Sequence, residues 1–196
     1  MKRTMVVTIA LIGLLGSAQT AMAQTAAPLP KVEVSAGYQF QQFGGDGDSE
    51  NWPKGWYADI AANLNKTFSL VGLVNGSYKT ETMTNSGITA TVSGSATTFM
   101  GGLRLSSRQA KNTVFVQALA GVMRLAADVK ISSPAVVTTS DSESANAILV
   151  GAGFNAVLTG NLSLRIGGDF VRVFPEDGSG HTLRATAGLV YGFGRR

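Results

Sequence analysis

Three groups of side chains in this sequence have types and spacings that could do chemistry. His181, the single histidine, lies two residues after Ser179, with Glu176 and Asp177 just upstream. A histidine base, a serine nucleophile and an orienting acid make a hydrolytic set. Near neighbours on a Gly-flanked loop are poorly held, however, and nucleophilic catalysis needs fixed geometry, so the sequence assigns no catalytic residue. Asp46, Asp48 and Glu50 place carboxylates at alternate positions. As a calcium loop the pattern fails, because Asn51 stands where the turn glycine belongs and Tyr57 where the bidentate glutamate belongs. A solvated acidic loop is expected, with loose sharing of divalent ions with lipid phosphates as its alternative, and no metal site is assigned. The third group runs from Gly151 through Gly153 to Ala156 in a G-x-G-x-x-A pattern, with Asp169 downstream. A dinucleotide fingerprint needs a helix to receive the pyrophosphate, and Thr159-Gly160-Asn161 would end any helix there. Small residues that let a strand pack closely are the expected reading, and no cofactor is implied.

The elements that must carry these residues are strands. Past residue 23, segments of alternating apolar and polar or small residues are separated by Gly, Ser, Asn and Asp clusters. They predict eight strands near 31 to 42, 54 to 65, 67 to 80, 96 to 108, 113 to 126, 144 to 157, 162 to 174 and 182 to 194. The connections alternate in length. Those around Lys66, at 109 to 112 and at 158 to 161 are short, those at 43 to 53, 81 to 95 and 127 to 143 are long, and 175 to 181 is intermediate. An antiparallel up-and-down transmembrane β-barrel has its connections arranged in this way, with an even number of strands.

Composition agrees. The first residues read as a secretory signal peptide over 1 to 23: Lys2 and Arg3, an apolar stretch from Met5 to Gly16, and Ala21-Met22-Ala23 before the cleavage point. The apolar stretch is well short of the ~20 residues that a spanning helix needs. A spacer over 24 to 30 and a barrel domain over 31 to 196 follow. With no cysteine in the chain, neither a lipid anchor nor a disulfide framework is available. Losing Lys2 and Arg3 takes the formal charge from +4 to +2, a balance that argues against nucleic acid as a partner.

Strand parity assigns two faces. Val32, Val34, Ala36, Tyr38 and Phe40, then Trp56, Ala58, Ile60, Ala62 and Leu64, are expected toward lipid. So are Leu162, Leu164, Ile166 and Phe170, and Leu183, Ala185, Ala187, Leu189, Tyr191 and Phe193. The opposite face carries Glu33, Gln39, Gln41, Asp59, Asn63, Arg104, Arg165, Asp169 and Arg184. Charges at membrane depth must face a polar interior and find partners, so three acids and three arginines suggest a neutral, paired plug in which Arg165 and Asp169 share a partner. Parity leaves Leu70 to Val74 apolar on both faces. It also puts Arg124 on the side of Val116 and Ala118, which requires either a position above the bilayer or a bulge. The aromatics fall into two bands. Tyr38, Phe40, Phe43, Trp52, Trp56, Tyr57, Tyr78, Phe99, Phe170 and Phe174 lie toward the outer rim, and Phe68, Phe115, Phe154, Tyr191 and Phe193 toward the periplasmic rim.

The stretch Thr186-Ala187-Gly188-Leu189-Val190-Tyr191-Gly192-Phe193 resembles the terminal signal of bacterial outer-membrane barrels, although Gly194, Arg195 and Arg196 follow the last aromatic. With the strand pattern, it is similar to the small eight-stranded family of the OmpA/OmpX type. The resemblance implies an outer-membrane monomer in a Gram-negative-type envelope. Outer-membrane lipids and lipopolysaccharide would surround it, and the insertion machinery would recognise Thr186 to Phe193. No cell-wall-binding domain is expected to follow the barrel. The function implied is non-enzymatic: envelope integrity or surface interaction through the loops. Two alternatives remain. One is a lipid A-modifying barrel using Ser179 and His181, and the other is a soluble periplasmic barrel with an apolar interior. An eight-stranded lumen is filled by its own side chains, which disfavours an open pore.

Overall fold

A computed structural model of the chain describes residues 29–44, 49–85, 88–109, 111–133, 135–175 and 180–195. Strands account for nearly all of them: β1 (Pro30–Gly44), β2 (Ser49–Trp52), β3 (Lys54–Asn63), β4 (Phe68–Asn85), β5 (Ile88–Arg108), β6 (Asn112–Ser133), β7 (Ala135–Thr159), β8 (Leu162–Phe174) and β9 (Gly180–Arg195). Neighbours pair antiparallel, and β1 closes the sheet on β9 from Pro30↔Arg195 to Gly44↔His181. Both β2 and β3 pair with β1, so they are two parts of one wall strand, and the barrel has eight. The expected signal peptide, and all of the expected spacer but residues 29 and 30, lie outside the described residues.

The break between β2 and β3 has a consequence for the lumen. Tyr38 opposes Trp56 and Gln41 opposes Trp52, so three residues on one strand face two on the other. This is a β-bulge around Pro53, which has no N–H for the ladder; the Tyr38 hydroxyl donates to its carbonyl. An extra residue reverses the side-chain parity. Below the bulge Tyr57, Asp59, Ala61 and Asn63 are buried; above it, Trp52 is. Without the bulge Trp52 would face outward.

The wall bears out the expected faces. Outside stand Val34, Phe40, Ile60, Leu70, Leu103, Val150, Ile166 and Leu189, all exposed, while Glu33, Gln39, Gln41, Asp59, Asn63, Arg104, Arg165, Asp169 and Arg184 are buried. A belt of exposed aliphatics around a polar interior is the arrangement lipid selects. The described residues include no helix long and apolar enough to cross a membrane; the crossing is made by strands. Leu70 faces out and Val71 and Leu73 face in, joining Met100, Leu119, Met123, Leu149, Val171 and Val173 in an apolar cluster inside the barrel. Arg124 is exposed, in ladders that show no register shift on either side, so no bulge is involved. It pairs with Ser144, beyond the last β7 residue that reaches β8.

Two expectations are corrected. The segments 81 to 95 and 127 to 143, read as loops, are mostly strand: β4 and β5 remain paired to Asn85↔Ile88, and β6 and β7 to Ser133↔Ala135. Their Ser, Thr and Asn content suggested loops. Thr82, Thr84, Thr91, Val92, Val129 and Ile131, however, are β-branched residues that suit a pleated ribbon even away from a core. The second correction concerns aromatics. Tyr38, Phe40, Trp56, Tyr78, Phe99, Phe170 and Phe174 do face out at one end and Phe68, Tyr191 and Phe193 at the other, but Trp52, Tyr57 and Phe115 are buried inside. Phe43 packs on Trp52 at 4.8 Å between ring centroids.

Candidate functional site: the lumen and mouth of the barrel

The inward faces of β1, β3, β5, β6, β8 and β9 bring the expected charges together nearer the short turns. Asp59 is the hub: Arg165 donates to it at 2.6 Å, Arg104 at 3.2 Å and the Ser35 hydroxyl at 2.7 Å. Arg165 also donates to Asn155 at 2.9 Å, and Arg104 to Gln117 at 2.9 Å. The Gln117 amide continues the chain to Asp169 at 2.9 Å, whose other oxygen accepts from Arg184 at 2.7 Å. Arg104 and Arg165 are like charges sharing one carboxylate. They lie 4.6 and 4.9 Å from the centroid of the Phe115 ring, whose faces attract cations.

The plug is therefore paired, with two changes from expectation. Arg165 and Asp169 belong to one network but share no partner; Arg104 and Gln117 lie between them. Arg108, which parity did not single out, reaches in to donate to Glu33 at 2.6 Å and to Asn63 at 2.9 Å. Four arginines thus face three acids, an excess of one positive charge. A void in this layer, lined by Tyr57, Asp59, Arg104 and Asp169, has a volume of about 10 Å³, room for one water at most. The network fills the lumen, as a barrel of this strand number requires.

At the opposite end the inner face changes character. Between Lys54↔Tyr78 and Asn146↔Phe174, the last pairs that join them to the barrel wall, β4 to β7 continue as a four-stranded ribbon. Its inner side, with β2, forms a cup of about 360 Å³. Val92, Gly94, Leu125 and Ala127 make the floor; Lys79 and Glu81 stand on β4 and Asp141 and Glu143 on β7, with Glu50 and Trp52 at one end. Lys79 bridges Glu50 and Glu81 at 2.7 Å each. The hydrogen bonds it donates to these two carboxylates, Glu50 first, hold its ammonium above the ordinary lysine range. Among the described residues neither Asp141 nor Glu143 has an ion pair. Sequence reasoning missed the cup because most of its positions, Glu50, Trp52, Glu81, Val92, Gly94, Asp141 and Glu143 among them, were read as loop, where parity has no meaning.

The other candidates separate. His181 is exposed on β9, stacked on Phe170 at 6.0 Å between centroids. Ser179, Glu176 and Asp177 lie outside the described residues, as do Asp46 and Asp48. No group of metal-ligating side chains occurs among the described residues, and Glu50 is engaged by Lys79. The glycine pattern lies within β7 with no helix after it. A Cβ at Gly151 would collide with the Asp169 carboxylate and one at Gly153 with the Phe115 ring. These glycines make room for the lumen network, and the supposed ribose acid is the partner of Arg184.

An eight-stranded closed sheet with a lipid-facing belt, a filled polar lumen and a projecting ribbon defines a small outer-membrane β-barrel. Residues 8–193 match the family described as Outer membrane protein beta-barrel domain, and the chain belongs to that family. Its place is the bacterial outer membrane. The soluble periplasmic alternative, which needs an apolar interior and a polar exterior, is overturned. None of the curated proteins matches the sequence significantly. Among solved structures, Ail, the attachment invasion locus protein of Yersinia pestis, is similar at 18% identity with a TM-score of 0.56, over 83% of this chain and 99% of that one. The same protein in complex with the heparin analogue sucrose octasulfate gives 0.58 at 18% identity, with the same coverage. Neisserial surface protein A gives 0.54 at 12% identity, over 83% and 97%. At these identities the likeness is one of fold.

Proposed function

We propose that this protein is a non-enzymatic surface-interaction barrel, inserted as a monomer, whose extracellular side presents the β4 to β7 ribbon to partners outside the cell. The observation that carries this reading is the ribbon itself. Residues 79–85 of β4 and 135–145 of β7 pair on one side only, so a two-edged sheet extends beyond the wall. Unpaired strand edges are surfaces other chains can use. The filled lumen supports the same reading, since it leaves little room for transport. The similar Ail structure is of an attachment protein, which accords with a role at the surface.

Orientation is tested with single cysteines, because the chain has none of its own. Ser140→Cys on the ribbon should react with a membrane-impermeant maleimide on intact cells, and Lys66→Cys in a short turn only after the outer membrane is permeabilised. The reverse pattern would overturn the reading.

A further inference from the structure

We infer that the cup in the barrel mouth is a binding site for alkylammonium groups, the chemistry of a lysine side chain or a polyamine. It depends on the preceding reading only for its placement outside the cell. Three independent features converge. The first is shape: about 360 Å³ lies within the range of small-ligand sites, which are mainly apolar with a few placed polar groups. Here an apolar floor of Val92, Leu125 and Ala127 runs between two acidic walls, as an alkyl stem with a charged end requires.

The second is charge. Glu50, Glu81, Asp141 and Glu143 against Lys79 leave the cup with three negative charges in excess. The β4 wall already shows the chemistry, because Lys79 places an ammonium between two carboxylates at 2.7 Å from each. The β7 wall repeats the paired acids without a cation. A polyanion would be repelled.

The third is a buried donor without a partner. Trp52 is 9% exposed, and its indole Nε1 has no hydrogen-bond acceptor among the described residues. The bulge at Pro53 turns this ring inward. Gly94 makes room for it, since a Cβ there would lie 2.8 Å from the ring edge. A buried N–H without an acceptor is unfavourable, and a ligand that carries one satisfies it once the ring edge turns toward the cup. A peptide carbonyl beside a lysine stem does so, whereas a bare polyamine does not.

The test uses the purified barrel in uncharged maltoside micelles at low salt, in a Trp56→Phe background that leaves Trp52 as the one tryptophan. Acetyl-trilysine amide, spermidine and calcium are titrated against Trp52 fluorescence. Saturable binding of either amine is expected, with the peptide tighter because of its carbonyls; tighter spermidine would assign the site to free polyamines. Asp141→Asn with Glu143→Gln should weaken binding about tenfold, and Asp128→Asn, which removes one negative charge from the outward face, should leave it within about twofold. The inference is overturned if neither amine saturates, if calcium binds more tightly than both, or if Asp128→Asn weakens binding as much as the cup variants. Folding is checked in each case by the difference in migration between unheated and boiled samples. A barrel that labels correctly on cells but binds no amine would sink this inference alone.

Discussion

The inner face of the barrel carries acids at two levels, and they are treated in opposite ways. In the lower lumen Glu33, Asp59 and Asp169 are each met by at least one arginine, at 2.6 to 2.7 Å, and are buried. In the mouth, Glu50 and Glu81 share one lysine, while Asp141 and Glu143 are exposed and have no ion pair among the described residues. A buried charge must be compensated, and breaking one partner of a buried pair is strongly destabilising. A solvated charge needs no such compensation and contributes little to stability. The lower acids therefore hold the wall together, and Asp141 and Glu143 above are left to meet something else.

The largest expected effect is in the lower layer. Arg184→Met leaves Asp169 buried with only Gln117, and should cost about 3–5 kcal/mol of unfolding free energy in lipid or detergent. Adding Asp169→Leu should recover part of this, a coupling of about 0.5–3 kcal/mol. Arg165→Met with Asp169→Leu is the contrasting cycle. The two residues share no partner, so their losses should add to within about 0.5 kcal/mol. Equal coupling in both cycles would mean that the network acts as one unit rather than as linked pairs.

A smaller effect compares the outward faces at the two levels. Ile166→Arg places a charge in the lipid-facing belt and should cost about 2–4 kcal/mol if it lies at the bilayer midplane. Thr82→Arg, outward on the ribbon, should stay within about 0.5 kcal/mol of the parent, as surface substitutions do. A comparable loss at residue 82, measured by unfolding in the same bilayer, would put the ribbon inside the membrane. The smallest effect is expected in the cup: Asp141→Asn should change stability by no more than about 0.5 kcal/mol.

How much of this was legible in the sequence depends on where each residue sits. In the wall, period-2 alternation is enforced by lipid on one side and by the plug on the other, so Ile60 outside and Asp59 inside could be read directly from parity. In the ribbon no lipid enforces the alternation, and Thr82, Thr84 and Thr91 look like loop residues although their branching favours a strand. The inward turn of Trp52 depends on a one-residue bulge, and a proline in the sequence signals a break without giving its register. Arg108 escaped because it lies at a strand end, where an arginine normally reaches water. The third dimension was needed to show that its side chain instead turns in to Glu33. Asp169 was assigned to the lumen, but its partner, Arg184, comes from the adjacent strand, and single-strand parity carries no information on cross-strand pairing.

The most direct measurement is equilibrium unfolding of Asp59→Asn beside Glu143→Gln, in one lipid and at one pH. Each replaces a carboxylate by its neutral isostere on the inner face. Asp59→Asn leaves Arg104 and Arg165 buried without their shared carboxylate and should lose about 3–5 kcal/mol, while Glu143→Gln should fall within about 0.5 kcal/mol of the parent. Equal losses, or a larger loss at Glu143, would contradict the division of the inner face into a structural layer and a binding layer.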